Sequence, residues 1–294
     1  MKVAIYGRPI KTKGFIKFYN DFISCLKNYD IDFAAIKSYK NFLTNQYKIT
    51  CESCSKQDLN NKTFDCLISL GGDGTMLDTL SLVGKSNLPV MGINLGRLGF
   101  LANIKMEEFE EAIIALKTKN FDIEKRTILK VESNIAKLNE FPFALNDFVV
   151  QKRDSSAMIT VKAGLDKDFL NNYWADGLIV STPTGSSGYS LSCGGPLVFP
   201  GSRAFVITPI AAHNLTVRPV VIPDKNVLNL KISGRGKDVL VTLDSRSFKV
   251  PNNTQLSIKK ADFMFNMVQL KSANYMDTIR NKLLWGADRR DEFS

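Results

Sequence analysis

The chain has 294 residues, 44% of them apolar and 23% charged, with a formal net charge of +10. That length accommodates two packed domains, and the ordinary composition excludes extended disorder. No apolar run approaches the roughly 18 residues of a membrane span, and no leader with a long apolar stretch and a small-residue cleavage site opens the chain, so no membrane association and a cytoplasmic location are expected.

Residues 2–6 read as a strand, 15–26 carry apolar side chains at helical spacing, and 31–36 read as a second strand. Residues 37–62 are polar and aperiodic, and read as a variable connection. The run 64–70, Phe-Asp-Cys-Leu-Ile-Ser-Leu, reads as a buried strand, followed by a glycine turn, a helix over 75–83 and a strand over 89–94. Strand, helix, strand in this order predicts a parallel α/β sheet. An amphipathic helix is expected over 106–117. From about 126 to 271 the pattern changes to short Val/Ile/Thr-rich strands at 157–163, 178–181, 204–209, 227–232, 239–243 and 263–269. Gly, Pro, Asn and Asp punctuate them, which predicts an all-β sandwich or barrel-like second domain. A helical pattern over 275–284 follows.

The five cysteines form no framework. Cys51 and Cys54 make one C-x-x-C pair, but no second pair follows and the single histidine, His213, is remote, so the spacing reads as chance. The basic residues are scattered, with Lys259-Lys260 and Arg289-Arg290 as short pairs and not a stripe. A positive field that gathers phosphorylated small molecules, or plain solubility, accounts for the charge without nucleic acid.

Four segments carry chemistry. Gly71-Gly72-Asp73-Gly74-Thr75 follows a strand and opens a helix. Glycines there let the backbone approach a phosphate closely, and the free amides of a helix N-terminus favour anions. Asp73 either serves the chemistry or simply favours the turn. As a ligand-facing residue it is expected to support no core. The segment is neither a Walker A loop nor a G-x-G-x-x-G fingerprint. Asn94-Leu95-Gly96-Arg97-Leu98-Gly99-Phe100 brings a second glycine-rich turn to the same sheet edge. Asn146-Asp147 offers an amide and a carboxylate, suited to two ribose hydroxyls or a purine edge, although such a pair more often marks a strand-entry turn. Last, Asp176 to Pro196 runs from a strand into a loop dense in hydroxyls and glycines, with Tyr189 as a flat ring for stacking.

In this order the four segments resemble the NAD kinase family. The stretch His213-Asn214-Leu215-Thr216-Val217-Arg218-Pro219 and the C-terminal YMDTIRNKLLWG are similar to it as well, so the likeness extends from about Cys66 to Trp285. The resemblance implies an α/β domain with a Rossmann-like parallel sheet, residues 1–104 with 272–294, carrying GGDGT. It implies an NAD-binding β-sandwich over 105–271, with the last helix returning to the first domain. The implied reaction moves the γ-phosphoryl of ATP, or a polyphosphate, onto NAD to give NADP, with a divalent cation such as magnesium whose ligands the sequence does not identify, in a homo-oligomer, tetramer or dimer. By position, Asp73 matches the catalytic aspartate, and Gly71, Gly72, Gly74 and Thr75 match the phosphate-binding turn. Asp73, Gly74, Leu77 and Phe100 would line the NAD site. Asn146 and Asp147 would bind the nucleotide, with Thr184, Ser187, Gly188 and Tyr189 around the adenine and ribose. Asp176, Ser192 and Ala211 would hold the nicotinamide end. Two positions depart from many members: Asp147 stands where Glu is common, and Gly188 where Ala is common. Because lipid kinases share GGDGT, a lipid or sphingoid kinase is the rival enzyme, and a non-catalytic nucleotide sensor the rival without chemistry. The first leaves Asn146-Asp147 and the hydroxyl-rich loop unexplained.

Overall fold

A computed structural model describes residues 1–9, 13–153 and 157–285; the pair Arg289-Arg290 lies outside them. The chain divides into two compact units, Met1–Glu124 with Asn266 onward, and Lys125–Phe265.

The first unit is a parallel sheet flanked by helices. Its strands are β1 (Lys2–Gly7), β2 (Asp32–Ile36), β3 (Glu52–Cys54), β4 (Cys66–Leu70), β5 (Val90–Asn94) and β6 (Ile104–Lys105). Its helices before the second unit are α1 (Ile16–Asn28), α2 (Lys37–Tyr47), α3 (Lys56–Asn60), α4 (Asp73–Val83) and α5 (Phe109–Thr118). The spatial order is β3-β2-β1-β4-β5, all parallel. The strands β4 and β5 are buried end to end, as a sheet covered on both faces requires. The connection expected over 37–62 is instead α2, β3 and α3. Tyr39, Leu43 and Tyr47 recur every four residues on α2 and are buried in the core. The polar residues between them hide a stripe only three side chains long.

The second unit is a β-sandwich. One sheet holds β7 (Phe121–Ser133), β8 (Phe143–Ala144), β10 (Ile159–Leu165), β11 (Asp168–Ala175), β15 (Leu228–Gly234) and the first part of β18 (Gln255–Leu270). The short helix α6 (Ala136–Asn139) lies between β7 and β8. The other sheet is antiparallel throughout, in the order β14 (Val220–Pro223), β13 (Ala204–Ile210), β12 (Gly177–Ser181), β9 (Asp147–Lys152), β16 (Asp238–Leu243), β17 (Arg246–Pro251). Alternate residues of both sheets meet in one core, with Val161 and Leu230 from the first and Phe148, Val180, Phe205 and Val241 from the second. This is the sandwich expected from the sequence.

The end of β18 returns to the first unit, where Met267 pairs with Val90, and α8 (Tyr275–Leu283) follows, capped by the Asn274 side chain accepting from the Met276 amide at 2.9 Å. The units divide at 124/125 and 265/266, where 104/105 and 271/272 were expected. The reason is packing: α5 buries Ala112, Ile113, Ala115 and Leu116 in the first core, and Val268 and Leu270 join them there. No described helix is long and apolar enough to cross a membrane.

Candidate functional site

In the first unit the strand order reverses between β1 and β4, the position at which open α/β sheets leave a crevice at their carboxyl ends. Gly71 and Gly72 leave β4 there and Asp73 begins α4. A carboxylate in the first turn suits the helix dipole. Asp73 does more than that: Oδ2 accepts from the amide of Phe100 at 2.9 Å, and Oδ1 from the amides of Leu101 and Ala102 at 3.0 and 2.9 Å. Asp73 was expected to support no core and is not part of one, but its side chain anchors the second glycine-rich turn. That approach needs Gly99, where a β-carbon would come within 1.8 Å of Asp73 Oδ1. Buried Asn94 completes the turn, donating to Ala102 O at 3.1 Å and accepting from the Gly96 amide at 2.8 Å.

Gly74, Thr75 and Leu77 lie on the first turns of α4, with Thr75 buried and Leu77 half-buried. The Phe100 ring lies 6.3 Å from that of Tyr275, with the Lys282 ammonium 5.8 Å from its centroid. Thus Asp73 and Phe100, remote in sequence, are joined by a hydrogen bond.

In the second unit Asn146 and Asp147 enter β9 beside the loop that leaves β12. The Thr182 amide donates to Asn146 O at 2.9 Å, and the Thr182 hydroxyl to Leu145 O at 2.6 Å. A single 3-10 turn, Gly185–Ser187, and the short helix α7 (Tyr189–Ser192) follow. The segment packs into the unit: Thr182, Thr184, Ser186 and Ser190 are buried. The Ser190 hydroxyl is 2.8 Å from that of Thr208 on β13. Gly185 lies so close to Asn146 that a β-carbon would stand 2.1 Å from its carbonyl oxygen. Gly188 passes near the Asn146 amide nitrogen, Ser187 bonds back to Thr184 O at 3.2 Å, and Tyr189 is exposed. The Asn146 Oδ1 is buried without a hydrogen-bond partner among the described residues. An orphaned acceptor of this kind is costly, and a ligand donor would satisfy it.

Asp176 sits at the other end of β12, in an ion pair with Lys152 at 2.7 Å. Its amide donates to Ile210 O at 2.9 Å, which sets Ala211, exposed and at φ 45°, beside it. Ser192 is exposed at the end of α7. The structure therefore groups the expected residues of the first unit around Asp73 and those of the 182–189 loop around Asn146, while Asp176 and Ala211 lie at the opposite end of β12 and Ser192 is exposed. The His213 ring lies tilted against that of Trp174, centroids 4.2 Å apart, and its amide donates to Trp174 O. The described cysteines are all free thiols, and burial pushes Cys54 up to about 11 and Cys66 up to about 12. A groove of about 450 Å³ on β10, β11 and β15 is lined by charges of both signs and includes none of these residues.

Three contributors escape sequence reading. Asp244, at φ 51° after β16, accepts from the amides of Leu145, Asn146 and Asp147 at 2.9, 2.7 and 3.3 Å. Burial, then the nearby Asp244 charge, raises the Asp147 carboxyl to about 7. Burial raises Asp244 too, but its three amides and Arg246 oppose that, so the proton settles on Asp147. Arg126, 3% exposed, reaches the Thr184 hydroxyl at 3.4 Å. Arg8, just beyond β1, grips Asp78 of α4 at 2.6 and 2.7 Å. The Asp-Ser pair at 244–245 is an ordinary turn signal, and Arg8 and Arg126 carry no local signal at all.

Known proteins match over nearly the whole chain. A profile described as ATP-NAD kinase N-terminal domain covers residues 29–121, and one described as ATP-NAD kinase C-terminal domain covers 145–270. The NAD kinase of Cytophaga hutchinsonii is 44% identical, covering 99% of this chain and 100% of that protein. The NAD kinase of Flavobacterium psychrophilum is also 44% identical, with the same coverage. Among solved structures, an NAD kinase from Archaeoglobus fulgidus in complex with ATP aligns with TM-score 0.75 at 26% identity, covering 97% of this chain and 99% of that one. Yeast NADH kinase complexed with NADH aligns with TM-score 0.86 at 23% identity, covering 98% and 89%, a likeness of fold.

Proposed function

The chain belongs to the NAD kinase family, and from that premise we propose that it transfers the γ-phosphoryl of ATP, or of a polyphosphate, to the 2′-hydroxyl of the adenosine ribose of NAD, forming NADP. The observation that carries the reading is the Asp73 carboxylate, fixed at the N-terminal end of α4 by three backbone amides. Each carboxylate oxygen offers two lone pairs. Oδ1 spends both on amides and Oδ2 spends one, so a single acceptor direction remains for a hydroxyl. In the reaction the ribose O2′–Pγ bond forms, the bond from Pγ to the bridging oxygen breaks, and the hydroxyl proton passes to Asp73. Such a transfer depends chiefly on positioning and charge neutralisation. The turn Gly71, Gly72, Gly74, Thr75 takes the donor phosphates. Leu77 and Phe100 line the acceptor. Asn146 and Asp147 hold the nucleotide, Thr184, Ser187, Gly188 and Tyr189 surround adenine and ribose, and Asp176, Ser192 and Ala211 take the nicotinamide end.

The described residues include no group of three His, Cys, Asp or Glu suited to a metal ion. The divalent metal is read as part of the substrate, carried on the polyphosphate as magnesium commonly is. The reading also carries a cytoplasmic location and a homo-oligomer, dimer or tetramer.

Purified protein with NAD, ATP and magnesium should make NADP, read out by an NADP-specific dehydrogenase. Tight NAD binding with no NADP from ATP or polyphosphate would identify a sensor, and phosphorylation of a sphingoid base in place of NAD a lipid kinase.

Asp147 gives the site a pH signature. Its ionised form accepts two hydroxyl hydrogen bonds, while its neutral form spends one oxygen as a donor. NAD affinity should rise by about tenfold as pH increases from about 6 to about 8, and Asp147→Asn should flatten the profile. The groups that face this carboxyl are Asp244 and Tyr189. Stability should move the other way. The folded carboxyl holds its proton more tightly than the unfolded one, so its contribution falls as pH climbs from about 4 through about 7 and is level above. A pH-independent NAD Michaelis constant in the parent protein would contradict the assignment.

A further inference from the structure

Arg8 stands at the reversal of the sheet. Gly7 pairs with Leu70, so Arg8 leaves β1 abreast of the point where Gly71 leaves β4. Its guanidinium turns toward α4, where Nε donates to Asp78 Oδ2 at 2.6 Å and Nη2 to Asp78 Oδ1 at 2.7 Å. The Tyr6 hydroxyl donates to the same carboxylate at 3.1 Å. Two ends of the fork are thus committed in a bidentate pair, which fixes the plane of the group. The third end, Nη1, has no partner among the described residues and stands 3.4 Å from where a β-carbon on Gly74 would lie. Its two N–H groups therefore overlie the first turn of α4, beside the glycine turn.

We propose that Arg8 is a donor-binding residue, whose Nη1 hydrogen-bonds phosphoryl oxygens of ATP or polyphosphate at the Gly71–Thr75 turn while Asp78 and Tyr6 hold the fork in place. The inference rests on the reading of the chain as an NAD kinase. A planar, permanently charged fork with one free edge matches phosphate oxygens in a way that a lysine ammonium does not. Asp78 offsets much of the charge, so the contribution is directional more than long-ranged. During transfer, charge moves onto the bridging oxygen of the leaving diphosphate as its bond to Pγ breaks, and a donor fixed beforehand at that turn stabilises it without reorganising.

The test is a steady-state comparison of the parent with Arg8→Gln, Arg8→Lys and Asp78→Asn, varying ATP and NAD separately. Arg8→Gln should raise the ATP Michaelis constant or lower turnover by about tenfold or more, with the NAD constant within about twofold. Arg8→Lys keeps the charge without the fork, and should fall between parent and Arg8→Gln. Asp78→Asn loosens the fork, and should weaken ATP use more than NAD binding. ATP constant and turnover within twofold of the parent in Arg8→Gln overturn the assignment and leave the kinase reading intact. So does a parallel rise of both constants with a lower melting temperature, the mark of a structural role. If Arg8→Gln does not fold, unchanged ATP kinetics in Arg8→Lys overturn it. A parent protein that makes no NADP overturns both readings together.

Discussion

Asp73→Asn is expected to lower turnover at saturating NAD and ATP by about 10²–10⁴-fold, the usual cost of losing a general base. The amide cannot take the 2′-hydroxyl proton. The substitution also has a structural cost that a simple turn residue would not show. An asparagine has one acceptor oxygen where the carboxylate has two, and it turns an NH₂ group toward the amides of Phe100, Leu101 and Ala102. At least one of those amides loses its partner, at about 1–3 kcal/mol, so melting should fall by several degrees. The two effects separate if turnover is measured well below the melting transition and NAD binding is followed by calorimetry. Near-normal turnover in the folded variant would return Asp73 to the role of loop anchor alone.

Gly185→Ala is expected to disrupt the packing of the 182–189 loop on Asn146. The new methyl group would lie 2.1 Å from the Asn146 carbonyl oxygen, 2.4 Å from its carbon and 2.7 Å from its Cα. These are backbone atoms, and no side-chain rotation relieves them. Nor is the 145–147 backbone free to retreat, because Asp244 holds its amides on one side and Thr182 its carbonyl on the other. Overpacking of this kind costs about 1–3 kcal/mol, and an NAD Michaelis constant raised by tenfold or more should accompany it. Thermal melting and NAD kinetics on the soluble fraction check both. Parent-like values for the two would mean that the loop does not pack on Asn146 as described.

What is legible in the sequence is set by range. Strands β4 and β5 are read directly, because consecutive buried residues leave a continuous apolar run. So is the glycine turn after β4, since its chemistry is local. The helix α2 is lost because its stripe is only Tyr39, Leu43 and Tyr47 amid polar neighbours. The family likeness places Asn146 and Asp147 but not what fixes them. Asp244 lies 98 residues beyond Asn146, and Arg8 precedes Asp78 by 70. Neither pairing exists until the register of β9 and β16, or of β1 and β4, has formed. Asp73 shows the converse: its place at a helix start is plain, yet its grip on the 100–102 amides depends on a turn beyond the next strand.

The first unit closes only after the second has been made, since it draws on Asn266 onward as well as on Met1–Glu124. A ribosome adding about 5–20 residues per second takes on the order of ten seconds to cross the intervening segment. Throughout that interval the nascent sheet waits with the β18-facing edge of β5 at Val90 open, and without Val268, Leu270 and Ile279, all buried in the finished fold. An open edge beside an incomplete core is where chains stick to one another. The sandwich, whose strands are contiguous in the message, has no such delay. A released chain truncated after Phe265 should therefore show a protease-resistant segment from Lys125 onward and a chaperone-bound segment before it.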